Sequence, residues 1–199
     1  MHYYLAFRTD YFKNEIQLRF RTREVQGELF RVMSDYESRE YGILEIVSSQ
    51  LRFRYNLNQL KTEEHEIMLS AVNVSDGQWH VVKVKRFGSA AILTLDGGER
   101  RRYNEKFVFA GNQMLGIDRW EGVYAGGKAE YTGIRTYEVV SDFSNGCIDD
   151  IRLDGKPLSL QGATARNVQS NCPSNDPCAN ITCPSPFVCV DLWKDYECA

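Results

Sequence analysis

Residues 72–99 read VNVSDGQWHVVKVKRFGSAAILTLDGGE, and their rhythm decides the fold. Val82 and Val84 alternate with Lys83 and Lys85. A period of two puts the valines on one face of an extended chain and the lysines on the other. The turn around Gly77 precedes this run, and Asp96-Gly97-Gly98 closes the apolar stretch after it with residues for which positive φ is cheap. The stretch is therefore strand, turn, strand, turn.

The same rhythm recurs outward from it. Ile16, Leu18, Phe20 and Thr22 alternate with Gln17, Arg19, Arg21 and Arg23, apolar in and cationic out. Leu51, Phe53, Tyr55 and Leu57 alternate with Arg52, Arg54, Asn56 and Asn58, and Gly126-Gly127 and Asp154-Gly155 punctuate later strands. Only NQLKTEEHEIML (58–69) approaches a helical pattern, enough for one short helical turn or a loop. Many short strands with frequent turns predict an all-β domain, a sandwich or jelly roll. With 43% hydrophobic residues, the 199-residue chain has enough apolar side chains for one sizeable core. From Asn167 the alternation stops, and Pro173, Pro177, Pro184 and Pro186 cluster among cysteines, so the domain boundary is expected near Cys172.

A net charge of −3 is too balanced to call for nucleic acid or an anionic membrane as partner. No apolar run approaches the roughly 20 residues of a membrane span. No basic-then-apolar leader opens the chain, so Met1 is expected to be an added start on a piece of a longer protein. No cysteine precedes Cys147, and then six fall between Cys147 and Cys198. A cytosolic metal site is the competing reading, but zinc sites favour tighter cysteine pairs or nearby histidines, and His2, His65 and His80 all lie far upstream. The sequons Asn73-Val74-Ser75 and Asn180-Ile181-Thr182 lean the same way as disulfides, toward an oxidising, extracellular compartment.

Four pieces in order resemble a laminin G-like domain: LRFRTREVQGELF (18–30), which looks like the family's first long hairpin; VNVSDGQWHVVKVKRFGSAAILTLDGGE (72–99); GVYAGG (122–127); and NGCIDDIRLDGKPLSL (145–160). The resemblance implies a jelly-roll β-sandwich of the concanavalin-like kind over residues 1–172, with Cys147 bonded to Cys172. A loop of that length would contribute roughly 3 kcal/mol in the chain-entropy model. The tail spacing C-x4-C-x5-C-x8-C resembles the first four cysteines of an EGF-like domain. That likeness implies pairs Cys178–Cys189 and Cys183–Cys198, and makes residues 173–199 the first part of such a module, cut short. A laminin G-like domain running into an EGF-like one is similar to the membrane-proximal region of invertebrate-type cadherins, with Fat-like and seven-pass cadherins next.

Each site the resemblance offers has a plainer reading beside it. No cofactor is expected to be required, and the resemblance implies that calcium is possible, since many laminin G-like domains hold one Ca2+ at a sandwich rim. Glu40 stands where the family carries a calcium-binding Asp, with Asp35 nearby and Asp118 as a second carboxylate. Calcium needs several converging oxygens, so solvated loop acids are the expectation. Cys189-Val190-Asp191 with Tyr196 and Cys198 resembles the pattern for Asp hydroxylation, marking Asp191. Calcium is not expected in the tail, where Asn175-Asp176-Pro177 replaces the family's acidic cluster with Pro177. Asn73 and Asn180 are expected glycosylation acceptors. Arg19, Arg21, Arg23, Arg52, Arg54, Lys83, Lys85 and the run Arg100-Arg101-Arg102 could form a basic patch for heparan sulfate. Long cations that keep strand faces soluble, partly cancelled by Glu24, Glu28, Glu63, Glu64 and Glu66, are the expectation instead.

Catalysis is not expected. The chain has no G-x-S-x-G, no H-E-x-x-H and no phosphate-cradling G-x4-G-K-[ST]. Trp79 and His80 read as strand and core residues. Asp149 and Asp150 are adjacent, which on a regular strand points them to opposite faces and spoils a glycosidase pair. The expected role is a non-catalytic spacer or contact module of an adhesion receptor at the extracellular face of the plasma membrane. Its partners would be neighbouring modules of the receptor or a homophilic copy, with a glycan-binding, calcium-dependent module as the alternative.

Overall fold

The computed structural model describes residues 1–34, 40–57, 64–98, 104–108, 114–118, 122–131, 137–140, 143, 145–159, 163–164, 168–173 and 176–199. Two six-stranded antiparallel sheets face each other. The first has the order β1 (His2–Tyr3), β10 (Val123–Ala125), β3 (Gly27–Met33), β4 (Tyr41–Val47), β5 (Gln50–Asn56), β6 (His65–Leu69). The second runs β14 (Lys156–Pro157), β13 (Gly146–Leu153), β2 (Lys13–Thr22), β7 (Trp79–Phe87), β8 (Ala90–Leu95), β9 (Asn104–Val108). Two small ribbons stand apart from them: β11 (Lys128–Tyr131) with β12 (Tyr137–Val140), and β15 (Cys189–Asp191) with β16 (Tyr196–Cys198) in the tail.

The alternation read from the sequence sorts these strands. Leu18, Phe20, Val82, Val84, Leu93 and Leu95 from the second sheet, and Phe30, Leu44, Ile46, Leu51, Phe53 and Tyr55 from the first, are all at most 2% exposed. Together they form the layer between the sheets. At roughly 1.5–3 kcal/mol for each fully buried apolar side chain, this layer is the main stabilising contribution.

Three expectations are corrected. Residues 65–69 of the helix-like stretch form strand β6, because Ile67 and Leu69 supply the inner face opposite Phe53 and Leu51; residues 58–63 lie outside the described set. Leu18–Phe30 is not a hairpin. β2 pairs with β13 and β7 while β3 pairs with β10 and β4, so the link between them crosses from one sheet to the other, and Phe20 and Phe30 enter the same core from opposite layers. Asp149 and Asp150 do not point to opposite faces. β13 bulges between Asp149 and Arg152, with Asp150 at φ 45°, and both acids end among outward side chains. Asp149 takes two hydrogen bonds from Arg19, and Asp150 pairs with Arg152 and accepts from Gln17. Each acid is thus committed to a cation.

Charge also enters the interior where alternation alone did not place it. Arg86 follows the inward register of Val82 and Val84 and is 2% exposed. Its guanidinium donates to Asn14 Oδ1 and to the carbonyls of Gly88 and Tyr11, so its buried donors have partners. A second bulge, in β3 between Glu28 and Phe30, brings Glu28 beside Arg31, whose guanidinium grips both carboxylate oxygens at 3.0 and 2.5 Å. Burial pushes Glu28 above the usual carboxylate range despite that partner.

Candidate functional site: the seam between the sandwich and the cysteine-rich tail

Strand β2 ends at Thr22, and the turn Asp76-Gly77-Gln78 leads into β7 beside it. The register pairs Arg21 with Trp79 on one side and with Cys147 on the other. By alternation Arg21 belongs to the outer, cationic face. It is nevertheless only 7% exposed, because the tail lies over it. Its Nε donates to the Gly77 carbonyl, and its Nη2 meets Asp191 Oδ1 at 3.2 Å. The guanidinium carbon lies 5.7 Å from the centre of the Trp193 ring.

The tail reaches this seat by two routes. The covalent one is Cys147–Cys172, Cα atoms 5.9 Å apart, which pins the start of the tail to β13 directly across from Arg21. The other is the loop after β15. Asp191 Oδ1 accepts the Trp193 amide at 2.5 Å, the Gln78 side-chain amide donates to the Asp191 carbonyl, and the Trp193 indole donates to Pro173 O at 3.0 Å. Trp193 is 5% exposed. Cys178–Cys189 and Cys183–Cys198 close the tail itself. A module this small has little core of its own, so a fully covered tryptophan in it must be covered from outside. Alternation alone made Arg21 a solvated cation, and the cover over Trp193 that marks the seam is seen only in the fold.

The turn under the seam is held from beneath. His80 is 7% exposed; its Nδ1 lies 2.8 Å from Asp96 Oδ2 and its Nε2 3.1 Å from Asp76 Oδ1. Burial alone would push the imidazole down, but the two carboxylates outweigh it and raise it to about 9. Burial raises Asp76, and the hydrogen bonds from His80 and the Gln78 amide prevail and hold it below the usual range.

The remaining expected sites fall elsewhere. Glu40 and Asp118 come to the same rim: Glu40 exchanges hydrogen bonds with Ser34, and the Asp118 amide donates to Met33 O. Asp35 lies outside the described residues. Among the described residues no three acids, histidines or cysteines are placed to hold a metal ion together, and calcium takes six to eight oxygens. Asn73 and Asn180 are both exposed. Asn73 turns its amide oxygen to the Ser75 amide, while the Ser75 hydroxyl donates to Glu24 O. A depression of about 400 Å³ beside Asn73, between Ser48–Gln50 and Ser70–Val72, carries no titratable side chain and so no acid–base chemistry. Asp191, the expected hydroxylation residue, is in the seam.

The basic face is largely compensated. Arg19 pairs with Asp149 at 2.6 Å and lies over Trp79; Lys83 and Lys85 share Glu15; Arg52 and Arg54 converge on Glu45 and reach Glu66 and Glu64. Arg23 donates to Asp76 O. Arg100–Arg102 lie outside the described residues.

Comparison with known proteins agrees with this architecture. The family model of the laminin G domain matches residues 20–156. The chain is 61% identical over 206 residues to Neural-cadherin of Drosophila melanogaster, an alignment covering 98% of this chain and 7% of that protein. It is 27% identical to the mouse Cadherin EGF LAG seven-pass G-type receptor 1, covering 91% of this chain and 6% of that one. It therefore spans only a small part of these relatives' length. Domains LG4–5 of the mouse laminin α1 chain superpose with a TM-score of 0.64 at 23% identity, over 79% of this chain and 39% of that one, which speaks for the fold. A family match across most of the sandwich, with a 61%-identical cadherin across nearly the whole chain, means that the chain belongs to the laminin G domain family, a non-catalytic module family, in the form carried by neural-cadherin-type proteins.

Proposed function

We propose that this chain is an extracellular module of a cadherin-type adhesion receptor, in which the sandwich is a spacer that hands the chain on to its next module at a fixed angle. Residues 1–172 are the laminin G module in this reading, and 173–199 the first part of an EGF-like one. The observation that carries it is the seam. Arg21, buried under the tail and bonded to both Gly77 and Asp191, turns what would be a flexible linker into a docked joint. A joint that fixes direction suits a protein that must span a gap between cells, and the partners are then neighbouring modules of the same receptor or a copy on the facing cell.

A cell-aggregation assay with the full-length receptor carrying Arg21→Ala tests this. The expected result is normal surface display with slower aggregation and smaller clusters. Unchanged aggregation at equal display would detach the seam from adhesion.

The rival reading, a calcium-dependent glycan-binding module, draws on the rim pair Glu40 and Asp118 and on the cationic strands. It makes a different prediction. Calcium bound only to the folded chain must raise the melting midpoint by an amount set by [Ca2+]/Kd. Melts in millimolar Ca2+ and in EDTA are expected to coincide, and elution from heparin to need no more than about physiological salt, since Glu15, Glu45 and Asp149 already neutralise the cations. A calcium shift abolished by Glu40→Gln or Asp118→Asn would replace the spacer reading with the rival.

A further inference from the structure

The depression beside Asn73 has the chemistry of a seat for an uncharged sugar. The turn Ser48-Ser49 with Gln50 forms one wall, Ser70-Ala71-Val72 the other, and Asn73 lies on the rim. None of these side chains carries a charge. Among the described residues, the hydroxyls of Ser48, Ser49 and Ser70 have no hydrogen-bond partner. Gln50 Nε2 donates to Ser70 O at 2.8 Å, which fixes the carboxamide and leaves its oxygen as an acceptor. Val72 packs against the core and adds an apolar surface. Neutral donors and acceptors beside a small apolar surface suit a sugar ring, and about 400 Å³ is near the lower end of small-ligand sites.

The first wall is held in an unfavourable backbone. Ser48 and Ser49 have φ 51° and 64°, in the two-residue turn that joins β4 to β5. Asparagine and glycine are the usual residues at two such left-handed positions. The turn cannot relax, because the Ser49 amide donates to Val25 O and Ser49 O accepts the Val74 amide. Strain kept in place by its surroundings, with hydroxyls at the wall of a depression, motivates a binding role.

Asn73 is posed for modification. Its Oδ1 accepts the Ser75 amide at 2.8 Å, which leaves Nδ2, the atom that N-glycosylation takes, without a partner among the described residues. Val74 and Ser75 turn inward, at 0% and 8% exposed, and Ser75 Oγ donates to Glu24 O at 2.6 Å. The hydroxyl that makes the tripeptide an acceptor is therefore hidden once the chain has folded, so a glycan must be attached beforehand.

We propose that Asn73 bears an N-linked glycan whose first N-acetylhexosamine lies in this depression, its ring on Val72 and its polar groups on Ser48, Ser49 and Gln50. In the attachment, Nδ2 bonds to C1 of the sugar and gives up one proton. The bond from C1 to a phosphate oxygen of a lipid diphosphate donor breaks, and the lipid diphosphate leaves with the electron pair. This step rests on the extracellular reading above, because the secretory route supplies that donor. A free neutral glycan has the same chemistry, but a sugar tethered at Asn73 is always at the depression and needs no affinity of its own to stay there.

The test uses the chain secreted from animal cells with carbon-13-labelled sugars. Peptide mass spectrometry should find Asn73 occupied, and nuclear Overhauser contacts should join its first sugar to the Val72 methyls. An amidase that cleaves at Nδ2 should release the glycan at least about tenfold more slowly from the folded chain than from the unfolded one. Gln50→Ala, and separately Ser48→Gly, which keeps the backbone of the turn, should recover much of that rate while occupancy and cooperative melting persist. Equal release from folded and unfolded chain, or a first sugar without contact to Val72, overturns the proposal. A bare Asn73 in a secreted chain with all three disulfides formed also overturns it, and leaves the extracellular reading standing. A chain that is retained in the cell with its cysteines reduced takes both down. Saturable binding of free N,N′-diacetylchitobiose by a chain whose Asn73 is bare would give the depression to an outside glycan instead.

Discussion

Gly77→Ala will loosen the tail from the sandwich, while the matched change Gly97→Ala will not. Both glycines have positive φ, +78° and +84°, so alanine at either meets the same left-handed strain, on the order of 1 kcal/mol. Their surroundings differ. A Cβ at Gly97 has nothing within 4 Å, whereas a Cβ at Gly77 runs into the main-chain carbonyl of Leu192. Main chain cannot swing aside as a side chain can, and Leu192 sits between Asp191 and Trp193, the two residues that dock the tail. The accommodation available is for the tail to lift, exposing Arg21 and Trp193. The measurement is hydrogen exchange of the Trp193 indole N–H, which donates to Pro173 O in the parent. It should accelerate by about 10–100-fold in Gly77→Ala and stay near the parent rate in Gly97→Ala. Equal exchange in the two variants would mean that the close approach at Gly77 does not hold the joint.

Raising the pH will weaken the fold through His80. Its folded pKa of about 9 stands above the unfolded value near 6.5, so the imidazolium's two carboxylate bonds stabilise fully below pH 6.5, and that stabilisation is lost as pH rises through 9. The difference corresponds to about 3 kcal/mol. Asp76 works in the other direction: its pKa is held low, so its share is present above the ordinary carboxylate range and lost as pH falls through the lowered value. Between about pH 5 and 6.5 both contributions are in place. Urea unfolding at pH 6 and pH 9 reads the slope, and His80→Gln, which cannot charge, should flatten most of it. A parent that is as stable at pH 9 as at pH 6 would show that His80 is not held charged between Asp76 and Asp96. Because His80 supports the turn on which the tail sits, the Trp193 indole should also exchange faster at the higher pH than intrinsic exchange alone explains.

How far the sequence could be read differs from layer to layer, and the reasons are physical. Alternation at Ile16, Leu18 and Phe20, and at Val82 and Val84, was enough to predict a sandwich, because a strand with one buried face must obey a period of two. It could not show which sheet each strand joins. The step from β2 to β3 is short, as in a hairpin, and only the pairing partners distinguish crossing from returning. It also failed where the backbone breaks period: the bulge at Asp149–Arg152 put neighbouring acids on one side, and the bulge at Glu28–Phe30 brought an acid and an arginine together. At the site, Asp191 was singled out by resemblance to a modification motif, yet here its carboxylate holds Arg21 and its own loop. Arg21 itself sits in the same pattern as Arg19, and nothing local separates the two. What separates them is the tail, brought there by a disulfide whose halves are 25 residues apart in the chain.

That disulfide also sets how tension would travel. A pull on the tail bypasses residues 154–171. It crosses from Cys172 to Cys147 and enters β13 opposite Arg21, near the end of β2, whereas the chain enters β2 at Lys13, the other end of the same ladder. The enclosed chain beyond β13, roughly 60 Å if drawn out, carries no load until the sulfurs part. Under load the module would therefore resist by shearing the ladder between β13 and β2, strand sliding along strand, instead of unzipping one bond at a time from its C-terminal end.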